Sequence, residues 1–116
     1  MKIKHNNIAP IPYDLDEFRR RLIEKLGTDL NVDSMIELQH KYYVAIGTVD
    51  NNDYFFSTDA ELTSFRKKYN IIAEDPPFYH PDEFENILAE ELGISHEVAT
   101  IFHHCDFEYS ESIGLL

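Results

Sequence analysis

The sequence predicts an α+β fold, in which a short antiparallel sheet packs against about four helices. Two patterns indicate it: apolar residues recur at helical spacing in several segments, and they alternate at every second position between Met35 and Ile46. The 116 residues, of which 43% are hydrophobic, are enough for one core and too few for two. We therefore expect a single domain that spans residues 1–116.

The first helix is predicted at residues 14–26. Asp14 can cap it, and Glu17 follows three positions later, which is the spacing of a capping box. The apolar side of this helix carries residues three or four positions apart, namely Leu15, Phe18, Leu22 and Leu26. Gly27 suits the end of the helix.

The predicted sheet follows at about residues 35–57. Apolar or aromatic residues occupy most of the even-numbered positions from Ile36 to Ile46, as expected for a half-buried strand. The run from Asp50 to Asp53 is rich in turn-forming residues and separates this strand from Tyr54–Phe56. We therefore expect a hairpin or a meander in this part of the chain.

Three more helices are predicted, at residues 58–69, 81–92 and 95–104. Thr58 and Glu61 form a second capping box, and Pro81 suits the first turn of a helix. Ser95 can cap the last of the three. Between the second and third helices, residues 75–81 contain three prolines and are expected to form an extended joint.

The charge of the chain is unevenly distributed around this proline-rich joint. The net charge is −12, and all ten Lys and Arg lie in residues 1–68. Residues 69–116 contain eleven acidic residues and no basic one. A surface of this sign repels phosphate groups and anionic membranes and attracts basic proteins. We therefore expect a basic protein partner, with no direct binding to nucleic acid or to a membrane.

The stretch from Leu88 to Phe102 resembles the helix-turn-helix of bacterial DNA-binding proteins. Ala89, Gly93 and Ile94 fall at the spacing of that family. The resemblance implies that the second helix enters the major groove of DNA, where basic or amide side chains contact phosphates and bases. Because no Lys or Arg is present here, we expect a helical hairpin that serves packing alone.

The function predicted from charge and size is that of an inhibitor that occludes a basic, nucleic-acid-binding surface. In kind this looks like the immunity proteins that bacteria pair with secreted toxins, such as those of contact-dependent growth inhibition systems, and the partner would be a nuclease-type toxin. The candidate binding residues are carboxylates that pair with Lys or Arg and tyrosines that anchor the contact: Tyr79, Glu83, Glu90, Glu91, Glu97, Asp106, Glu108 and Tyr109. Phe78 and Phe107 are expected in the core.

Two alternatives remain open. One is a phage or mobile-element antagonist that mimics nucleic-acid charge to block a host defence enzyme. The other is a small enzyme or metal protein built on the residue types that bind zinc or act as nucleophile and base: His80, His96, His103, His104 and Cys105. Their spacing matches no common metal or catalytic motif, so we expect no catalytic residue, metal or cofactor.

The expected location is the cytoplasm. Cys105 is the only cysteine and cannot form an intramolecular disulfide, which is typical of a reducing compartment. Met1–Pro12 contains Lys2 and Lys4 without a following apolar run, so no signal peptide is expected. The longest apolar stretch, Tyr42–Ile46, is far shorter than the roughly 20 residues that cross a bilayer.

Overall fold

The computed structural model describes residues 12–49, 51 and 55–115, and within these residues the regular secondary structure is entirely helical. The expected α+β class is therefore wrong, because the part of the chain that the structure describes forms a helical bundle without a strand. The helices are α1 (Leu15–Leu26), α2 (Val32–Ile46), α3 (Asp59–Tyr69), α4 (Pro81–Leu92) and α5 (His96–Ser112).

Helix α2 replaces the first strand of the predicted sheet. Nine of its fifteen residues are buried, so apolar side chains are needed on most sides of the helix. A helix buried in this way has apolar residues two positions apart as well as three or four, and the first spacing resembles that of a strand. The side chain of Asn31 caps α2 by accepting a hydrogen bond from the backbone nitrogen of Ser34 (3.0 Å), and Gly47 ends it in a left-handed conformation.

The rest of the predicted sheet has no strand where the structure describes it. Of the expected turn and second strand, residues 50 and 52–54 lie outside the described residues. The side-chain amide of Asn51 makes two hydrogen bonds with the backbone of Phe56. Its Nδ2 donates to the carbonyl (2.7 Å), and its Oδ1 accepts from the nitrogen (3.0 Å). The Phe56 side chain is buried against Phe65 of α3, so this segment connects α2 to α3.

The four helices expected from capping signals are present. Residues 14–26, 58–69 and 81–92 correspond to α1, α3 and α4, and the helix expected at 95–104 continues to Ser112 as α5. Asp14, Thr58 and Ser95 accept hydrogen bonds from backbone nitrogens of the first turns, as expected for N-caps. The proline-rich segment lies between α3 and α4.

The core is formed mainly by α1, α2, α4 and α5. Helix α1 packs against α5 and α2, while α4 packs against α2 and α5. Phe102 of α5 lies at the centre, with its ring centroid 5.4 Å from that of Phe18 on α1 and 5.8 Å from that of Phe84 on α4. All three rings are fully buried. This aromatic contact fixes the sides of α4 and α5 that face the core, and thereby those that face solvent.

Helix α3 lies at the periphery of the bundle. None of its residues is fully buried, and it packs mainly on α2. Arg66 donates from Nε to the carbonyl of Ala45 (2.8 Å), which satisfies a backbone oxygen at the end of α2. The rings of Phe65 and Phe56 add an edge contact with centroids 5.3 Å apart.

Among the described helices, none combines the length and the apolar character that a membrane crossing requires.

Candidate protein-binding surface

The solvent-facing sides of α4 and α5 carry carboxylates that have no partner within the chain. Phe84 and Phe102 mark the inward sides of these helices, and residues offset by about half a turn are exposed. Four such residues make no ion pair or side-chain hydrogen bond with any described residue: Asp82, Glu90, Glu97 and Glu111. We call these four residues the acidic surface.

The basic side chains, in contrast, are almost all engaged. Lys2 and Lys4 lie outside the described residues, which leaves eight of the ten Lys and Arg. Seven of these eight contact a carboxylate or a backbone carbonyl of the described chain: Arg19, Arg20, Arg21, Lys25, Lys41, Arg66 and Lys68. Glu17 shows the effect of such pairing, since hydrogen bonds from two arginines lower its pKa to about 2. Few cations are therefore left to neutralise the acidic surface.

Two of the expected binding carboxylates, Glu91 and Glu108, are paired within the chain. The Glu91 carboxylate accepts hydrogen bonds from Lys68 Nζ (2.8 Å) and from the Tyr69 hydroxyl. The bond from Lys68 is the main reason that the pKa of Glu91 is lowered. Glu108 lies 3.3 Å from Lys25 Nζ of α1. Both remain exposed, but their charge is partly compensated.

Two others, Glu83 and Asp106, turn inward and hold helices together. Glu83 accepts a hydrogen bond of 2.6 Å from the buried Tyr42 hydroxyl, which ties α4 to α2. Asp106 accepts from the Tyr13 hydroxyl at 2.6 Å and from Gln39 Nε2 at 3.4 Å. Both carboxylates therefore stabilise contacts between separate parts of the fold.

The exposure of the aromatic residues in the acidic half differs from the expected one. Tyr109 is only 3% exposed, and its hydroxyl accepts a hydrogen bond from the backbone nitrogen of Asp14 (3.0 Å). Tyr79 is half-buried against Tyr42, and burial raises the pKa of its hydroxyl. The prediction that Phe78 and Phe107 lie in the core is wrong, because these residues are 60% and 57% exposed. The exposed aromatic rings of the acidic half are therefore phenylalanines.

A groove of about 410 Å³ opens beside Phe107. It runs between the start of α4 and the second half of α5, and its walls are mostly apolar. The lining residues are Pro81, His103, His104, Asp106, Phe107 and Ser110. Asp82 follows Pro81 directly, and Glu111 follows Ser110 directly, so two members of the acidic surface lie next to lining residues. We call this cavity the Phe107 groove.

His103 lines this groove and also contacts polar groups of the bundle. The Tyr79 hydroxyl lies 2.8 Å from Nε2 of His103, within hydrogen-bond distance. Nδ1 of His103 faces Glu85, whose carboxylate is 3.6 Å away, too far for a hydrogen bond. Burial lowers the pKa of His103, outweighing the opposing effect of Glu85.

The other residues of the suggested metal or nucleophilic cluster are directed to separate partners. His80 pairs with Glu74 (3.0 Å), and His96 pairs with Glu85 (2.6 Å). Cys105 is buried on the inward side of α5, and burial raises the pKa of its thiol. Among the described residues, no three His, Cys, Asp or Glu side chains are grouped so that they could hold a metal ion.

A pH dependence of stability follows from the environment of His103. The groups that face it are Glu85 of α4 and, on its own helix, Asp106 and His104. Because its pKa in the folded chain lies below the ordinary 6.5, the unfolded chain binds the proton more readily. The stabilising contribution is therefore complete above pH 6.5 and is lost as the pH falls below that value.

We expect His103→Gln to reduce the fall in unfolding free energy between neutral and mildly acidic pH, as measured by urea denaturation. The wild-type chain, measured over the same pH range, is the reference. Equal slopes in the two proteins would show that His103 does not titrate in this way.

Sequence reasoning missed Phe107 and Glu111 as surface residues because the last helix was expected to end at residue 104. A signal for the longer helix is present, since Phe102, Cys105 and Tyr109 continue the helical spacing of an inward side. That spacing places Phe107 and Glu111 on the opposite side of α5.

No family model matches the chain, and no curated protein or solved structure shows significant similarity to it.

Proposed function

We propose that this chain is an acidic inhibitor that binds a basic protein and covers its active or nucleic-acid-binding surface. The observation that supports this most strongly is the contrast between the unpaired acidic surface on α4 and α5 and the engaged cations of α1–α3. In kind, such a protein acts as an immunity protein does against a nuclease-type toxin. The single buried Cys105 suits a cytoplasmic location.

The physical mechanism has two stages. Long-range attraction between the acidic surface and a basic partner speeds the encounter, and salt weakens it because the Debye length is about 8 Å at physiological ionic strength. In the complex, carboxylates take the place of phosphates on the partner's Lys and Arg, while exposed aromatic rings provide desolvated contacts that slow dissociation. The partner is then unable to bind its nucleic acid.

The proposal is tested with two variants that carry the same change in net charge. The surface variant combines Asp82→Asn, Glu90→Gln and Glu97→Gln. The control variant combines Asp16→Asn, Asp29→Asn and Asp59→Asn, which are exposed acidic residues outside α4 and α5 without an ion pair among the described residues. Each variant removes two acids from the first turns of helices, so the loss of favourable helix-dipole interactions is matched.

The wild-type chain is immobilised to capture basic proteins from a lysate of the source cells, and each captured protein is purified. We expect one of them to be a nuclease that the wild-type chain inhibits. The surface variant should associate at least about tenfold more slowly at low salt, while the control variant should change the rate less than about twofold. The proposal fails if no captured basic protein is inhibited, or if both variants slow association equally.

A further inference from the structure

We infer that the Phe107 groove is the docking point for an arginine side chain of the basic partner. This inference rests on the proposed function and assigns the central contact of the complex. The groove has the size of a side-chain pocket, about 410 Å³, and it lies within the half of the chain that has no Lys or Arg.

Different residues of the groove suit the guanidinium group and the methylene stem of an arginine side chain. Phe107 exposes 57% of its surface, and a guanidinium group stacks favourably on such a ring. Pro81 provides another apolar part of the lining, against which the methylene stem of the arginine can lie. A lysine would make the same stem contact, but its ammonium group lacks the planar surface that stacks on the ring.

The charges next to the groove select a cation. Asp106 lines the groove, and among the described residues its carboxylate is bonded only by uncharged donors, the Tyr13 hydroxyl and the Gln39 amide, so no cation of the described chain neutralises it. Asp82 and Glu111, the sequence neighbours of Pro81 and Ser110, add to the negative potential around the groove. His103 offers no opposing charge near neutral pH, because its burial favours the neutral imidazole. No Lys or Arg of the described chain lines the groove and competes with the partner.

A direct test uses a short peptide that contains two arginines, added to the isotope-labelled full-length chain near neutral pH. Nuclear magnetic resonance follows the Phe107 ring signals and the backbone amides of α5. We expect the largest shifts at the ring and at residues 103–111. The peptide with two lysines should bind more weakly at this site, and the peptide with two glutamates should produce no shift there.

Variants separate docking in the groove from general attraction to negative charge. Phe107→Ala should lower the affinity for the arginine peptide about fivefold, whereas Phe107→Trp should retain or increase it. Ile72→Ala removes another exposed apolar side chain, 77% exposed, and should leave the affinity unchanged. The inference is overturned if shifts are spread over all acidic residues with the Phe107 ring unmoved, or if Phe107→Ala binds the peptide like the wild type.

The purified partner distinguishes failure of this inference from failure of the proposed function. If Phe107→Ala inhibits the captured nuclease with wild-type affinity while the surface variant does not, the groove assignment is overturned and the acidic inhibitor stands. If no basic partner is inhibited but the peptide still binds at Phe107, the proposed function fails and the groove chemistry is supported independently.

Discussion

Replacing Phe102 by alanine is expected to destabilise the chain by about 3–5 kcal/mol, which is a large part of the stability of a domain of this size. Phe102 is fully buried at the place where α1, α4 and α5 meet, in contact with the rings of Phe18 and Phe84. Truncation removes both ring contacts and leaves a cavity that three separate helices would have to close. Urea denaturation followed by circular dichroism measures the loss.

Phe107→Ala is the matched control, because it makes the same chemical change on the same helix. Its ring is 57% exposed and has no aromatic neighbour among the described residues, so the free energy of unfolding should change by no more than about 0.5 kcal/mol. Similar losses at Phe102 and Phe107 would contradict the orientation of α5, and with it the placement of the Phe107 groove on the surface.

The second large effect is expected at Glu37, an exposed residue in the middle of α2. Proline at this position should destabilise the chain by about 3 kcal/mol or more relative to alanine, because it removes a helical hydrogen bond and clashes with the preceding turn. Glycine should cost about 1 kcal/mol relative to alanine. The weak contact between Glu37 and Lys41, 3.9 Å apart, contributes little to either comparison.

Threonine at the same position decides between a helix and a strand. In α2, Glu37→Thr should be less stable than Glu37→Ala, since β-branched residues lose side-chain freedom in a helix. In a strand the order of these two variants would be reversed. Unfolding free energies of the four variants, measured under the same conditions, would therefore reject α2 if threonine proved the more stable.

The sequence contained enough local information for four of the five helices and was misread for the fifth. Asp14, Thr58 and Ser95 cap helices through their own side chains, a local effect that is visible in sequence. Asn31 and Gly47 mark α2 in the same way, but the alternation between them favoured a strand.

Gln39 explains part of this error. It is polar and yet buried, and it interrupts the apolar helical pattern of α2. Its side chain is satisfied by Asp106, which lies 67 residues further along the chain. A hydrogen bond between distant residues leaves no local signal, so a pattern of neighbouring residues does not reveal why a glutamine is tolerated at this place.

The charge asymmetry of the candidate surface was predictable from composition, but the state of each carboxylate was not. Lys25 pairs with Glu108 and Lys68 with Glu91 only because the fold brings α1 next to α5 and α3 next to α4. Such pairs depend on tertiary contacts, which the order of residues does not specify directly. The structure therefore restricts the candidate binding residues of the acidic half to the carboxylates that are unpaired and exposed.

The peripheral position of α3 divides the molecule into parts of unequal cooperativity. Because no residue of α3 is fully buried, separating it from the bundle exposes less apolar surface than separating α1, α2, α4 or α5. Its attachment depends on the partly buried side chains of Leu62, Phe65 and Tyr69, together with the contacts of Arg66 with the end of α2 and of Lys68 with Glu91. Local opening of α3 is thus expected to cost less free energy than opening any of the other four helices, and it would release the Glu91 carboxylate while those four stay folded.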